Sequence, residues 1–137
     1  MPARDVMTAY LSAARAKDWE AAFGLFADDL VIHIPGRSPF AGDHRGKQAA
    51  IDYISAIRER YGDAGIELDI VDMLAGEERF MLLVRERFQD DDGRTITIRR
   101  ANVYRVAGGR IAEISIYEAD QYVVDEELAA AVSGRCA

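Results

Sequence analysis

Cysteine and histidine are scarce in this chain of 137 residues, which has one cysteine and two histidines. A single cysteine, Cys136, cannot form an internal disulfide, so a disulfide-stabilised secreted domain is excluded. His33 and His44 have no cysteine near them and no HExxH spacing, which leaves no metal-ligand pattern. No glycine-rich loop follows a strand and opens a helix, as nucleotide binding would require. We therefore expect no metal and no cofactor, and a reducing cytoplasm is the compartment that fits best.

Basic residues and long apolar runs are also in short supply. Lysine and arginine number 17 against 24 aspartates and glutamates, which gives a net charge of −7 and a pI near 4.8. Nucleic acids and anionic membranes bind proteins through clustered positive charge, so both are poor partners for this chain. No apolar run approaches the ~20 residues that cross a bilayer, and residues 1–5 show no apolar signal core. The expected partner is a small molecule.

Half of the residues are apolar, which is ample for one domain spanning residues 1–137. Apolar residues recur at helical spacing in three segments, and Asp18 is a suitable N-cap for the second of them. The predicted elements of this half are helices at 3–17, 19–26 and 47–61, a short strand at 30–34 and a loop at 35–46.

After Ile66 the apolar period changes from 3.6 to 2, which is typical of strands. Asp90–Gly93 and Gly108–Gly109 are hairpin turns. The predicted elements are strands at 66–74, 79–89, 94–106 and 110–118 and a short helix near 126–132. Helices segregated from an antiparallel meander define an α+β fold, and a curved sheet crossed by helices leaves a conical space between them.

Three groups of residues carry a family resemblance over nearly the whole chain. They are Tyr10 with the segments 17–19 and 25–29, the loop ending in Arg45-Gly46, and the final hairpin with 103–106 and 109–113. In order and spacing these resemble the nuclear-transport-factor-2-like superfamily, and within it the SnoaL-like polyketide cyclases and ketosteroid isomerases. The resemblance implies a cone-shaped, cystatin-like α+β roll with three N-terminal helices packed on a curved antiparallel sheet.

Strand alternation predicts which side chains face that cone. On strand 94–106 the larger and more apolar set includes Arg100, Asn102 and Tyr104, and we expect it to face the helices. The equivalent set on strand 79–89 includes Val84 and Glu86. On strand 110–118 we expect Ile111, Glu113, Ser115 and Tyr117 to face inward. Ile114 and Ile116 would then form an outer apolar face through which the chain forms a homodimer.

Buried polar groups on such a face either find partners or take part in function. Arg100 has two interpretations: a salt bridge to Glu86, or a cation that holds a substrate oxygen. Tyr10 and Asn102 match the positions where ketosteroid isomerases place their oxyanion donors. Their structural alternative is core packing with locally satisfied polar atoms.

The isomerase resemblance fails at the general base, because Ile34 stands where those enzymes carry a carboxylate. His33, one residue earlier, can transfer protons near neutral pH, but alternation with an apolar pair would turn it away from the pocket. His44 in the loop is a second candidate. Glu118 and Asp120 close the last strand near the rim, where a carboxylate could act as base or serve only as a cap or rim charge.

These observations predict a cofactor-independent enzyme that performs acid–base chemistry next to a carbonyl: isomerisation, cyclisation or dehydration. The alternatives are a non-catalytic ligand-binding or assembly domain, and an epoxide hydrolase that uses Glu86 and Arg100 but lacks a clearly placed second inward carboxylate. The ligand would be a small hydrophobic molecule with a carbonyl or similar oxygen. The predicted catalytic residues are Tyr10, His33, Arg100, Asn102 and Asp120. The predicted ligand-binding residues are Trp19, Phe23, Arg37, His44, Tyr53, Val84, Glu86, Tyr104, Ser115 and Tyr117.

Overall fold

Four helices are present in a computed structural model of the protein, which describes residues 2–62 and 65–136, with side chains described up to residue 130. They are α1 (Ala3–Arg15), α2 (Trp19–Phe23), α3 (Lys47–Tyr61) and α4 (Gln121–Cys136). The Asp18 carboxylate accepts the Ala21 N–H at 3.1 Å, so the predicted N-cap of α2 is confirmed. The predicted length of α2 is wrong, because Phe26 already belongs to the first strand. The side chain of Cys136 lies outside the described ones.

Six strands form one sheet: β1 (Phe26–Ile34), β2 (Gly42–Arg45), β3 (Glu67–Ala75), β4 (Arg79–Gln89), β5 (Thr95–Ala107) and β6 (Arg110–Glu118). Their order is β2-β1-β6-β5-β4-β3, with β1 parallel to β6 and the other neighbours antiparallel. The predicted meander of the last four strands is confirmed. Strand β2 was missed, since it lies inside the loop predicted from its prolines and glycines.

A bulge in β6 changes which of its side chains face the helices. Arg105 pairs with Glu113 while Val106 pairs with Ile111, so β6 has one extra residue between these pairs. Beyond the bulge Ile114 and Ile116 are buried, at 4% and 7% exposure, and Tyr117 is 61% exposed. The predicted inward direction of Glu113, Ser115 and Tyr117 is therefore wrong, and so is the predicted outer face of Ile114 and Ile116.

Strand β1 alternates as its sequence suggests. Leu30, Ile32 and Ile34 are buried, whereas Val31 and His33 are partly exposed. Because the apolar set takes the inner side, His33 lies on the outer side of the sheet, away from the helices. Ile34 is buried in the core.

Aromatic rings fill the part of the fold between α1 and the sheet. Tyr10 lies with its ring centroid 6.0 Å from Phe26 and 5.4 Å from Tyr104, and Tyr104 stacks on Phe80 at 4.5 Å. Rings at these separations pack as a dense core rather than as the wall of a hollow. This end of the cone is closed.

Helix α4 starts earlier than the helix predicted near 126–132, and it packs against α3. Its Val124 and Leu128 are 5% and 6% exposed and belong to the main core. Among the described residues, no helix has the length and apolar character to span a membrane.

Candidate functional site

A cavity of about 30 Å³ lies between the sheet, α3 and α4. It is lined by Tyr53, Ile57, Arg60, Tyr61, Ile66, Glu86, Phe88, Ile98, Arg100, Val124, Glu127 and Leu128. This volume suffices for one or two waters. The spacious cone expected from the curved sheet is thus mostly filled by side chains, and what is left is a small space beside ionisable groups.

The cavity borders a buried ionic cluster that spans three neighbouring strands. Arg100 on β5 donates hydrogen bonds from Nη1 to Glu86 on β4 and from Nε to Glu118 on β6, and its Nη2 lies 3.3 Å from Glu118 Oε2. The side chains of Glu86, Arg100 and Glu118 are 12%, 11% and 1% exposed. The predicted salt bridge between Arg100 and Glu86 is confirmed, and the second inward carboxylate is Glu118.

The β6 bulge explains why Glu118 is inward. Its side chain follows the direction of Ile114 and Ile116, which the unbroken alternation would have turned outward. Only a sign of this bulge in the sequence could have predicted that Glu118 faces inward. The sequence of β6 contains no glycine or proline that would indicate a bulge.

Two carboxyls share one guanidinium in this cluster, so the cluster has two groups that can be negative and only one that is positive. Burial raises the pKa of Glu86, Arg100 opposes that rise, and the nearby Glu118 adds to it. Burial alone would lower the pKa of Arg100, but the two carboxylates hold it above its usual value. Glu86 is therefore a buried carboxyl with a raised pKa that lines the cavity beside the Arg100 cation.

Tyr53 on α3 brings a hydroxyl to the same cavity. Burial raises the pKa of Tyr53 to about 12, so the phenol is neutral and can donate a hydrogen bond at ordinary pH. Phe40 packs edge-on against its ring at 5.6 Å and fixes its orientation. Of the predicted ligand-binding residues, Tyr53 and Glu86 line the cavity.

A second ionic cluster lies where α3 meets α4. Glu127 accepts hydrogen bonds from the Tyr61 hydroxyl and from Arg60 Nη2, the latter at 3.3 Å. Arg60 Nη2 also lies 3.1 Å from Asp91 in the β4–β5 hairpin. Burial, and then the Glu127 carboxylate, raise the pKa of Tyr61. Arg60 Nε is buried and has no hydrogen-bond partner among the described residues.

The predicted oxyanion donors face inward but do not line the cavity. Tyr10 and Tyr104 lie in the aromatic core, where burial raises the pKa of Tyr10 to about 12 and that of Tyr104 further above its usual value. Asn102 Oδ1 is buried and has no partner among the described residues. These three side chains form a polar cluster in the closed part of the cone, apart from the Arg100 cluster.

His33 forms a network on the outer side of the sheet. Its Nδ1 lies 2.7 Å from Asp43 Oδ1 on β2, and its Nε2 lies 2.7 Å from Glu113 Oε2 on β6. Arg105 Nε donates to the other oxygen of Glu113 at 3.2 Å. Hydrogen bonding to Asp43 and then to Glu113 raises the pKa of His33. This histidine is placed to join three strands and does not reach the cavity.

Other predicted site residues also have local partners away from the cavity. His44 Nε2 lies 2.8 Å from the Phe40 carbonyl, and Asp120 accepts the Arg99 backbone N–H at 3.2 Å. The Arg37 backbone N–H donates to Asp125 at 3.1 Å. Six predicted residues remain: Trp19 and Phe23 pack on each other, Val84 and Tyr104 belong to the core, and Ser115 and Tyr117 lie on the outer face. Among the side chains that the structure describes, up to residue 130, no group of three or more His, Cys, Asp or Glu could hold a metal ion.

Comparison with known proteins agrees with this architecture. The family model described as a SnoaL-like domain matches residues 7–114. Because this match covers most of the chain, the protein belongs to the SnoaL-like family, within the NTF2-like superfamily. No curated protein matches the chain.

Several solved structures share the fold at low sequence identity. A protein of unknown function with a cystatin-like fold from Xanthomonas campestris is 22% identical and has a TM-score of 0.79, with 93% of this chain and 98% of that chain covered. Bal32a, from a soil-derived mobile gene cassette, is 21% identical with a TM-score of 0.79 and coverage of 91% and 95%. TerC, co-crystallised with polyporic acid, is 15% identical with a TM-score of 0.71 and coverage of 92% and 96%. These similarities establish an NTF2-like, cystatin-like fold.

Proposed function

We propose that this protein is a cofactor-independent enzyme that transfers a proton next to a carbonyl or similar oxygen of a small apolar molecule. The observation that carries the proposal is the buried Glu86–Arg100–Glu118 cluster beside an apolar cavity. Buried carboxyls with perturbed proton affinity are common at catalytic sites. The co-crystal of TerC with polyporic acid supports the idea that this fold accommodates a small molecule.

In the proposed reaction Glu86 is the group that moves the proton. Its carboxylate takes a proton from the carbon next to the carbonyl, and the same carboxyl returns it to another carbon of the conjugated system. Arg100 and the neutral Tyr53 hydroxyl donate hydrogen bonds to the oxygen on which negative charge develops. Glu118 pairs with Arg100 and holds the guanidinium in place.

The charges around the cavity favour a neutral substrate. Glu86, Glu118 and Glu127 carry up to three negative charges against the two positive charges of Arg60 and Arg100. All of these groups are already paired, so a substrate carboxylate would have no cation left to neutralise it. We expect ketones and related neutral molecules to bind in preference to their carboxylated analogues.

A second candidate reaction is the opening of an epoxide by water, and the inward position of Glu118 favours it. One carboxylate would remove a proton from a water molecule while the oxygen of that water attacks an epoxide carbon. The other carboxyl, in its protonated form, would give a proton to the epoxide oxygen as the carbon–oxygen bond breaks. Proton transfer next to a carbonyl needs the Glu86 carboxylate, whereas epoxide opening needs one ionised and one protonated carboxyl next to Arg100.

Isotope labelling separates the two reactions. A panel of cyclic and polyketide-like ketones in D₂O should acquire solvent deuterium at the carbon that loses the proton or at the carbon that receives it. A panel of cyclic epoxides in H₂¹⁸O should give ¹⁸O-labelled diols if hydration is the reaction. Glu86→Gln should abolish whichever signal appears, whereas Glu126→Gln, at an exposed glutamate of α4, should not change it. No incorporation in either panel would favour a ligand-binding domain without catalysis.

We also propose that the chain forms a homodimer through the outer face of the sheet, although through different residues than the sequence predicted. Tyr117 and Leu74, 61% and 46% exposed, lie on that face. An exposed tyrosine is a frequent anchor of protein interfaces. Tyr117→Glu should convert a dimer to a monomer in analytical ultracentrifugation, and Tyr122→Glu, at an aromatic residue of α4 that is 89% exposed, is the matched control.

A further inference from the structure

Helix α4 forms one wall of the cavity. Val124, Glu127 and Leu128 line the cavity from this helix, and Val124 and Leu128 are almost fully buried. On the sheet side the cavity is lined by Glu86 and Arg100, two members of the Arg100 cluster. Helix α4 thus separates the ionisable groups of the proposed site from the exterior.

The space under α4 is much smaller than a substrate. The cavity measures about 30 Å³, whereas pockets that hold small organic ligands measure roughly 300–1,000 Å³. Buried cores resist compression, so a ligand cannot make this room by small shifts of the surrounding side chains. Removing Val124 and Leu128 together with their helix would open the site without disturbing the sheet.

Two separate polar attachments hold the described part of α4, residues 121–130, in place. At its N-terminal end, Asp125 accepts the Arg37 backbone N–H, and Gln121 Nε2 donates to the Pro35 carbonyl at 3.4 Å. Further along the helix, Glu127 accepts from Tyr61 and Arg60 on α3. The Glu127 attachment lies beside the cavity, and Glu127, Tyr61 and Arg60 all line it.

We propose that α4 is a lid over the Glu86–Arg100–Glu118 cluster, latched by Glu127 to Tyr61 and Arg60, and that substrate enters the space that Val124 and Leu128 occupy. The helix pivots at its attachment to the 35–37 loop when the latch breaks. Breaking the latch frees the Tyr61 hydroxyl, which then faces the open site, while Arg60 stays paired with Asp91. This inference rests on the proposed function, because it takes the Arg100 cluster as the place where substrate binds.

The latch predicts a change in affinity that a purely structural role would not produce. When the binding-competent form is a minor one, ligand binding is weakened by its population, and a change that favours that form strengthens binding. Glu127→Ala should therefore bind cyclohexanone about tenfold more tightly than the wild type, measured by NMR titration. Tyr61→Phe, which keeps the ring and removes one hydrogen bond, should shift affinity in the same direction by a smaller factor. Glu126→Ala, at the exposed neighbouring glutamate, should bind like the wild type.

Amide hydrogen exchange gives a readout that does not depend on catalysis. Saturating cyclohexanone should speed exchange over residues 121–130 of the wild type, because the bound form has the lid open, while exchange in β4–β6 should slow or stay unchanged. Slower exchange over residues 121–130 with ligand bound would overturn the lid proposal. So would equal affinity of the wild type and Glu127→Ala for cyclohexanone, or no binding by either protein. If the affinity and exchange changes appear but no isotope enters ketone or epoxide, the lid stands and the proposed catalysis fails.

Discussion

Arg100 and Glu118 lie directly opposite each other in the register of β5 and β6, and their side chains form a buried ion pair. Glu86 lies on β4 on the other side of Arg100, so the guanidinium is held between two carboxyls. A buried charge with one partner removed is far more costly than the intact cluster. The cluster is therefore both the candidate site and a point of the core where removing a single charge should be costly.

Removing Arg100 alone should destabilise the protein severely. Arg100→Met leaves Glu86 and Glu118 buried without a cation, and we expect the free energy of unfolding at neutral pH to fall by about 3–5 kcal/mol. Urea unfolding monitored by circular dichroism measures the change. Arg99→Met, at the exposed neighbouring arginine on the outer face, should change stability by less than about 1 kcal/mol.

The same cluster can be replaced as a unit. The double change Arg100→Met with Glu86→Leu still leaves Glu118 buried and unpaired, so it should stay destabilised. Adding Glu118→Leu should restore stability to about the wild-type level or above it, because all three charges are then gone. A triple variant as unstable as Arg100→Met would show that the cluster contributes more than charge pairing.

Much of the fold could be predicted from the sequence, because periodicity and turn residues report on local structure. The bounds of α3, β4 and β6 agree with the predicted ones, and so does the antiparallel meander. Strand β2 could not be predicted, since its four residues pair with β1 across a loop and carry no alternation of their own.

The candidate site was predictable only where alternation stays unbroken. Arg100 and Glu86 lie on the regular β4–β5 pair, so their inward direction and their pairing followed from counting residues. Glu118 follows the bulge, which reverses the assignment of Ser115 and Tyr117 and depends on how β6 fits against β5. The contribution of α4 depends on tertiary packing over the open end of the cone, for which the sequence carries no local signal.

Proton binding by Glu86 should make stability depend on pH. Its pKa is raised in the folded state from an ordinary value of 4.5, so between the two values the folded protein binds more protons than the unfolded chain. The contribution of Glu86 to stability is therefore present at low pH and lost as pH rises through the folded pKa. Urea midpoints across this range should fall less steeply with pH in Glu86→Gln than in the wild type. Parallel curves for the two proteins would contradict the raised pKa.

The outer network around His33 should add a second pH dependence. The pKa of His33 is raised from 6.5 by its bonds to Asp43 and Glu113, so its stabilising effect is complete below pH 6.5 and disappears as pH rises through the folded pKa. Since the side chain is about one third exposed, the effect should be modest. His33→Gln should lower the thermal midpoint below pH 6.5 and have less effect at alkaline pH. Catalysis should be unaffected, because His33 lies outside the cavity, and a large loss of turnover in His33→Gln would contradict the assignment of proton transfer to Glu86.

Gly36 lies close to Gln121 and Asp125 where the 35–37 loop contacts α4, and a pair of glycine substitutions tests whether this close approach matters. Gly36 has φ of +91° and a Cβ added there would lie 2.2 Å from Gln121 Nε2 and 2.3 Å from Asp125 Oδ1. Gly46 has φ of +102°, but a Cβ there would meet nothing within 4 Å. Gly46→Ala should cost about 1–2 kcal/mol from its positive φ alone, whereas Gly36→Ala should cost more and should also speed amide exchange over residues 121–130. Equal costs for the two substitutions, with no change in α4 exchange, would mean that the loop does not hold the start of this helix.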